Sequence, residues 1–383
     1  MLRRCGSEAL VSGTLARFRE DFSAIVDAPM TTSDPGPLFV HPRSVDHVVE
    51  ILRRAASDGV SVRVAGSADR VAPDGSKVDV ALVTDRLTSV IAHDVADLTL
   101  VVGAGATLAS VDDLLSSHGQ TALLPEFGGR RTIGGVVSKG ESSYRRLRYG
   151  PTRDRVLGIT MVTGYGEVVS GGGRLVKNVT GYDLPRLVTG SHGALGVIVD
   201  VCVKLWPQPE TLMTVSVPDC DASRRSVHLP SAALETEAGA AVYLEGSPAS
   251  VDAARLALGG EAAEGHHWPD PVTLPFSLSV RVPPATLNGS IRTLRSFDVE
   301  RFIAQHGVGI IDAGWSSFDE ATLSALRGEI ARFGGVVVVS HWPEEGWPDR
   351  WGMVPDGIEL QRRLKHLFDP AGVVNVGLLP GGI

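Results

Sequence analysis

Cysteine is scarce in this 383-residue chain: Cys5, Cys202 and Cys220, odd in number and far apart. That excludes a disulfide framework and a Cys-x-x-Cys metal or iron–sulfur pattern. Cys202, inside VIVDVCVKLW, reads as a small buried hydrophobe. Long apolar runs are missing too. No window reaches the roughly 18–20 residues of a membrane span, and the basic start MLRRCGSEALVSGTL leads into no signal-type apolar stretch. Positive charge is in deficit, at a formal net −8, so nothing favours a nucleic acid or an anionic membrane as partner. The expectation is a cytoplasmic protein without direct membrane insertion. With 43% apolar and 21% charged residues it has the composition of a soluble globular chain, long enough for two or three domains.

Residues 14–30 read as a short amphipathic helix broken by TTSDPGP. LFVHP follows as a strand. Ser44 can cap the next helix, whose face carries Val45, Val48, Val49, Ile51 and Leu52 and which Gly59 ends. VSVRVAG and VDVALVTDRL are strands, SVIAHDVADLTLVVGAGAT a strand pair, and residues 107–118 a capped helix. This alternation predicts an α+β or α/β architecture. After KLWPQPE the glycine-rich loops stop and Ala- and Pro-rich segments begin, so a boundary falls near Pro207–Pro209. The expected division is a lead-in (1–37), a first domain (38–208) with a break near 90, a second (209–345) and a closing segment (346–383). In that last segment a helix is stopped by Asp369-Pro370.

Four loops concentrate glycine: VAGSADR (64–70), GGRRTIGGVVSKG (128–140), GPTRDRVLG (150–158) and GGGRLVKNVTGYDLPRLVTGSHGALG (171–196). Glycine lets backbone approach a ligand closely, and successive N–H groups in such turns form nests that suit a pyrophosphate. Four together point to a large phosphate-bearing cofactor. VVGAGATL imitates a Rossmann loop, but Leu108 stands where the third glycine belongs and no acidic residue ends a suitable second strand. A tight turn into a Thr107 cap is the better reading.

In this order, FVHPRSVDHVVEILRRAASDGVSVRVAGS, LTLVVGAGATLASVDDLLSSHGQ, TIGGVVSKG, RYGPTRD, the 171–196 loop and FDPAGVVNVG resemble the FAD-binding oxidoreductases of the vanillyl-alcohol oxidase (PCMH) type. KNVTGYDLPRL and the short C-terminal domain are most similar to the small FAD-binding subunits of bacterial glycolate oxidases. The match is dense over 38–208 and returns at 358–383. The resemblance implies an α+β fold: a two-subdomain FAD-binding domain with a smaller α+β cap. It implies FAD as cofactor. It places Gly66, Ser67 and Ala68 in the pyrophosphate loop, and Gly128, Gly129, Thr132, Ile133, Gly134, Gly135 and Ser138 against pyrophosphate and flavin. Thr152 and Asp154 fall where polar groups reach the flavin or its ribityl–phosphate chain. Gly193, Gly196, Val197 and Ile198 lie near the adenine or ribityl part, and Asn375 in a tail that returns to the flavin. Turn geometry and core packing are the alternative explanation of each. The family's pyrophosphate loop is often richer in glycine. Here Asp69 sets a negative charge beside a diphosphate, which Arg70, Arg130 or Arg131 would offset. Covalent attachment is not expected, since no His lies between His47 and His93 and no Cys in 103–201.

Oxidising a 2-hydroxy acid requires a base, cations for the carboxylate and a hydride acceptor. Related dehydrogenases carry a metal-binding His-x-Gly-Asp-Gly-Asn type motif in the cap; this chain has none, and no metal site is expected. His266 and His267, if on a strand, face opposite ways. The catalytic candidates are Lys177, Tyr182 and His341. Asp183 reads equally as a helix cap, and Arg145, Arg146 and Arg148 as an anion site or a solvated face. Three functions are compatible. One is the FAD-binding subunit of a glycolate-oxidase-type complex with a larger flavin subunit and an iron–sulfur subunit. The second is a self-contained flavin oxidase or dehydrogenase of a small alcohol, hydroxy acid or biosynthetic intermediate. The third is a non-redox relative used as scaffold or cyclase.

Overall fold

The computed structural model describes residues 5–24, 36–68, 78–127, 129–173, 182–343 and 347–383. In chain order the first elements are α1 (Cys5–Asp21), β1 (Leu38–Val40), α2 (Val45–Asp58), β2 (Val62–Ala65) and β3 (Val80–Val83). Next come β4 (Val90–Asp94), β5 (Thr99–Gly103), α3 (Leu108–Ser116), β6 (Gln120–Thr121), α4 (Ile133–Lys139) and α5 (Arg146–Tyr149). They are followed by β7 (Val156–Thr163), β8 (Val168–Gly172), α6 (Leu184–Val188), β9 (Gly196–Lys204) and β10 (Trp206–Pro207). The first helix lies earlier than the 14–30 periodicity suggests, running through Gly13 and ending at Asp21.

α2 forms for the expected reasons. The Ser44 side chain accepts from His47 N, Gly59 closes the helix in the left-handed region, and Val48, Ile51, Leu52 and Ala55 form its buried face. That face covers the parallel sheet β1-β3-β2. A five-stranded sheet, β4-β5-β9-β7-β8, follows. Two register shifts in the β7–β9 pair let β9 serve two cores. Val197 and Val199 pack with α2 and the three-stranded sheet, while Ile198, Val201 and Val203 pack with α3 and α4. The turn before α3 is the non-Rossmann one: Ala106 N donates to Gly103 O (3.0 Å), and the Thr107 side chain accepts from Ser110 N.

Beyond β10 the chain adds β11 (Thr211–Val217), α7 (Cys220–Ser226), β12 (Ala232–Thr236), β13 (Gly239–Gly246), α8 (Pro248–Leu258), β14 (Ala262–Glu264) and β15 (Phe276–Arg281). α9 (Leu287–Ser296), β16 (Arg301–Gln305), β17 (Ile310–Trp315), α10 (Glu320–Ala331) and β18 (Val336–His341) complete an antiparallel eight-stranded sheet, ordered β14-β11-β13-β12-β16-β17-β15-β18. Helices α9 and α10 bury Ile291, Leu294, Leu326 and Ile330 against it. The last helix, α11 (Ile358–Phe368), returns the chain to the first sheet, where Val62 N donates to Val373 O (2.8 Å) and Asn375 N to Val62 O (2.9 Å). No described helix is long and apolar enough to cross a membrane.

Candidate functional site

Three loops meet. Gly66-Ser67-Ala68 leaves β2, Ala104–Thr107 leaves β5, and residues 129–132 enter α4. The second and third are joined by backbone bonds: Leu108 N to Arg131 O (2.9 Å), Ile133 N to Ala106 O (2.9 Å) and Gly134 N to Ala104 O (2.8 Å). The Thr132 hydroxyl accepts from Gly135 N (3.2 Å) and caps α4. The first loop touches the third at Gly66, where a Cβ would lie 2.0 Å from Thr132 Oγ1. Only a residue without Cβ allows that approach.

Between these loops is a cavity of about 530 Å³. Its wall carries the hydroxyls of Ser67, Thr107, Ser110 and Thr132, the Arg130 guanidinium, the Gly66 and Gly105 backbone, and an apolar side of Val90, Val102, Val111 and Leu114. One carboxylate, Asp85, lines it as well, and Oδ1 of that group is held by His41 Nδ1 at 2.8 Å. The Thr107 and Ser110 hydroxyls donate to Ser110 Oγ and Thr107 O, which leaves close backbone, Ser67, Thr132, one cation and an apolar flank as a set that fits a phosphate-bearing nucleotide.

A second junction forms around Asn375, which is 2% exposed and sits at positive φ. Its Oδ1 accepts from Val64 N (2.8 Å), and its Nδ2 donates to His192 O (2.9 Å). Gly193 leaves room for it, since a Cβ there would lie 2.5 Å from Asn375 Nδ2. His192 N in turn donates to Ser138 O (2.8 Å) at the end of α4. One amide thus joins β2, the turn before β9 and the tail.

His192 is the residue that sequence reasoning missed. Its ring stands edge-on to Trp351 at 5.4 Å. Burial first, then Arg350, Lys139 and Arg281, push its pKa down to about 3, so it is neutral at pH 7. Arg281 also bears on Arg146, whose pKa is lowered mainly by burial, and on Asp312, whose carboxyl burial drives up. Positive charge from α4, β15 and the 347–351 segment therefore bears on His192. The available signal was a histidine inside the glycine loop GSHGALG.

The remaining candidates are spread out. Gly128 and Lys177, like Asp69 and Arg70, lie outside the described residues. Tyr182 is 99% exposed. His341, at the end of β18, is exposed with its ring edge-on to Trp347. The Thr152 hydroxyl donates to Glu141 O and accepts from Arg155 Nη2 (3.0 Å), and is buried with those partners. Asp154 pairs with Arg186 at 3.2 Å on the surface. Ile133, Val197 and Ile198 are core residues, and Gly196 admits the Val162 carbonyl, 2.3 Å from where its Cβ would stand. Asp183 caps α6 by accepting from Arg186 N. His266 and His267 follow β14 rather than lying on it, each with Nε2 on a backbone carbonyl (Leu244 O at 3.0 Å, Glu264 O at 2.7 Å). Among the described residues no three His, Cys, Asp or Glu side chains converge as metal ligands.

Residues 36–172 match the family model described as FAD binding domain. The chain carries a PCMH-type FAD-binding domain. Glycolate oxidase subunit GlcE of Escherichia coli K12 is 33% identical over 197 residues, covering 47% of this chain and 54% of that protein. A D-2-hydroxyglutarate dehydrogenase of Xanthomonas citri pv. viticola is 34% identical over 197 residues, 49% of this chain and 41% of its own. The chain therefore spans about half the length, or less, of these curated relatives. Two solved structures share the fold at 15% identity. Chitooligosaccharide oxidase has a TM-score of 0.65, covering 95% of this chain and 97% of its own. Alkyldihydroxyacetonephosphate synthase has 0.61, at 91% and 77%. FAD is the cofactor, and the cavity between the three loops fits its phosphate-bearing half.

Proposed function

We propose that the chain is the FAD-binding subunit of a cytoplasmic, glycolate-oxidase-type oxidoreductase complex. It holds FAD non-covalently and passes electrons from a small 2-hydroxy acid onward with a larger flavin subunit and an iron–sulfur subunit. The observation that carries the reading is the junction itself. Loops at Gly66, Gly105 and Thr132 are drawn around one cavity, and the Asn375 amide ties β2, which leads into the first of them, to the turn before β9. The likeness to a glycolate oxidase subunit supports the complex, as does the missing metal-binding motif in the 209–345 region.

FAD, when bound, supplies a two-electron acceptor. In this reading the chain's residues do the rest. Arg130 and the Ser67 and Thr132 hydroxyls hold the diphosphate, and Asn375 fixes the tail. The positive potential of Lys139, Arg281 and Arg350 around His192 suits an anionic substrate. Neutral His192 orients by hydrogen bonding and carries no proton as an imidazolium.

A second reading, a self-contained flavin enzyme, is favoured by one observation. The shared fold runs through the eight-stranded sheet that would cap the flavin. Purification separates the two. The first expects a yellow protein that releases free FAD on acid precipitation and co-purifies with two partners. A monodisperse chain whose flavin is bleached at full rate by one pure substrate establishes the second. A colourless chain that takes up no FAD removes both.

A further inference from the structure

Helix α11 ends in a buried ion pair outside the cavity between the three loops. Lys365 Nζ donates to Asp369 Oδ2 (2.7 Å), to Ala194 O (2.9 Å) and to Val374 O. An ammonium has three N–H groups, and here each has an acceptor. Asp369, 1% exposed, accepts from Val373 N (3.2 Å) and Val374 N (2.9 Å). The turn after β7 packs onto the pair: Gly164 N donates to Phe368 O (2.8 Å), and a Cβ on Gly164 would lie 2.4 Å from Asp369 Oδ1.

The placement of these acceptors is informative. Ala194 stands two residues after His192, and Val374 immediately before Asn375. One ammonium therefore grips two of the three segments that Asn375 joins, the turn before β9 and the tail. Asn375 and His192 both hold positive φ, a region that Asn and His enter more readily than most residues and that the surrounding bonds fix here. Lys365 and Asp369 bond to the backbone next to both residues.

We propose that Lys365, with Asp369, is a positioning residue for the FAD site: the pair latches the tail so that Asn375 completes the cradle, and cofactor retention is coupled to the docking of α11. The inference rests on the reading that Asn375 borders the cofactor. Coupling is reciprocal, so FAD must in turn hold the latch closed.

The test uses the full chain and FAD itself. In wild type, hydrogen exchange at the Val373 and Val374 amides, which donate to Asp369, slows at least tenfold when FAD is added to the apo-protein. Lys365→Met leaves a buried carboxylate without its cation and is expected to unfold much of the chain. The informative variant is Lys365→Met/Asp369→Leu, which removes both charges together. It is expected to fold cooperatively, lose protection at the Val64 amide and bind FAD at least tenfold more weakly. Asn375→Ala is expected to weaken FAD by a similar factor, with no further loss when combined with the double variant. FAD affinity within twofold of wild type in the double variant, while Asn375→Ala weakens it, overturns the latch and spares the cradle. Exchange at Val373 and Val374 that ignores FAD overturns the latch even where no variant folds. Asn375→Ala without effect removes the cradle reading and the latch with it.

Discussion

His192 makes the chain's stability depend on acid in a direction that can be worked out. Its pKa falls from 6.5 to about 3 in the fold, through burial first and the cations Arg350, Lys139 and Arg281 second. In the unfolded chain it titrates normally. Between those two values the unfolded state binds a proton that the folded state refuses, so stability rises with pH across the window. The contribution is fully present above about pH 6.5 and is lost as pH drops toward 3. The slope is about 1.4 kcal/mol per pH unit, and the whole window is worth at most on the order of 5 kcal/mol. Other groups slope too. The raised carboxyls of Asp112, Asp200 and Asp312 oppose it, so the wild-type curve alone decides nothing. The comparison is with His192→Asn, since asparagine tolerates the positive φ found there. Denaturant unfolding free energies, taken from neutral to about pH 4, are expected to fall more steeply in wild type than in the variant by roughly 1 kcal/mol per unit. Parallel curves would refute the burial and cation argument.

Four further outcomes follow from named contacts. Gly66→Ala places a methyl against the Thr132 side chain, an overpacking of about 1–3 kcal/mol. Thermal melts should show that loss, FAD titration a weaker affinity, and a Thr132→Ala background a partial recovery. Gly105→Ala meets the Thr84 carbonyl at 1.8 Å, a backbone atom that cannot turn aside, so no side-chain change nearby should rescue its lower melting temperature. Ser44→Ala removes the acceptor for His47 N and is expected to cost about 1 kcal/mol in denaturant melts. Tyr182→Ala, at a residue 99% exposed, should leave stability within about 0.5 kcal/mol; a tenfold drop in turnover at unchanged melting temperature would restore its place among the catalytic residues.

Much of the first 210 residues was legible because local chemistry dictates it. Ser44, Gly59 and the spacing of Val48, Ile51 and Leu52 specify α2 before any tertiary contact exists. The missing third glycine after Gly103 excluded a dinucleotide loop, and the observed turn into the Thr107 cap agrees. The first helix was misplaced because periodicity alone does not mark an end, and its stop at Asp21 precedes the Pro-Gly breaker. The order of the eight strands after β10 was not legible, since pairings such as β12 with β16 join segments some 70 residues apart with no local signature.

The site divides along the same line. The resemblance puts Gly66 and Thr132 in two separate loops, and what the structure adds is that Thr132 caps α4 and that the two touch. Thr152 had the right chemistry at a plausible spacing, but Arg155 and the Glu141 carbonyl occupy its hydroxyl. His192 carried no sequence signal beyond its glycine neighbours. Its neutrality arises from burial first and then from cations on three separate elements, which no window of sequence contains. Lys365 stands in the last turn of α11, where a basic residue ordinarily complements the dipole at the surface. It faces inward because Asp369 lies four residues on and two separate carbonyls close over it. A buried ion pair of this kind adds little net stability over an apolar pair. Its bonds go to the segments carrying His192 and Asn375, so its value lies in fixing where those segments stand.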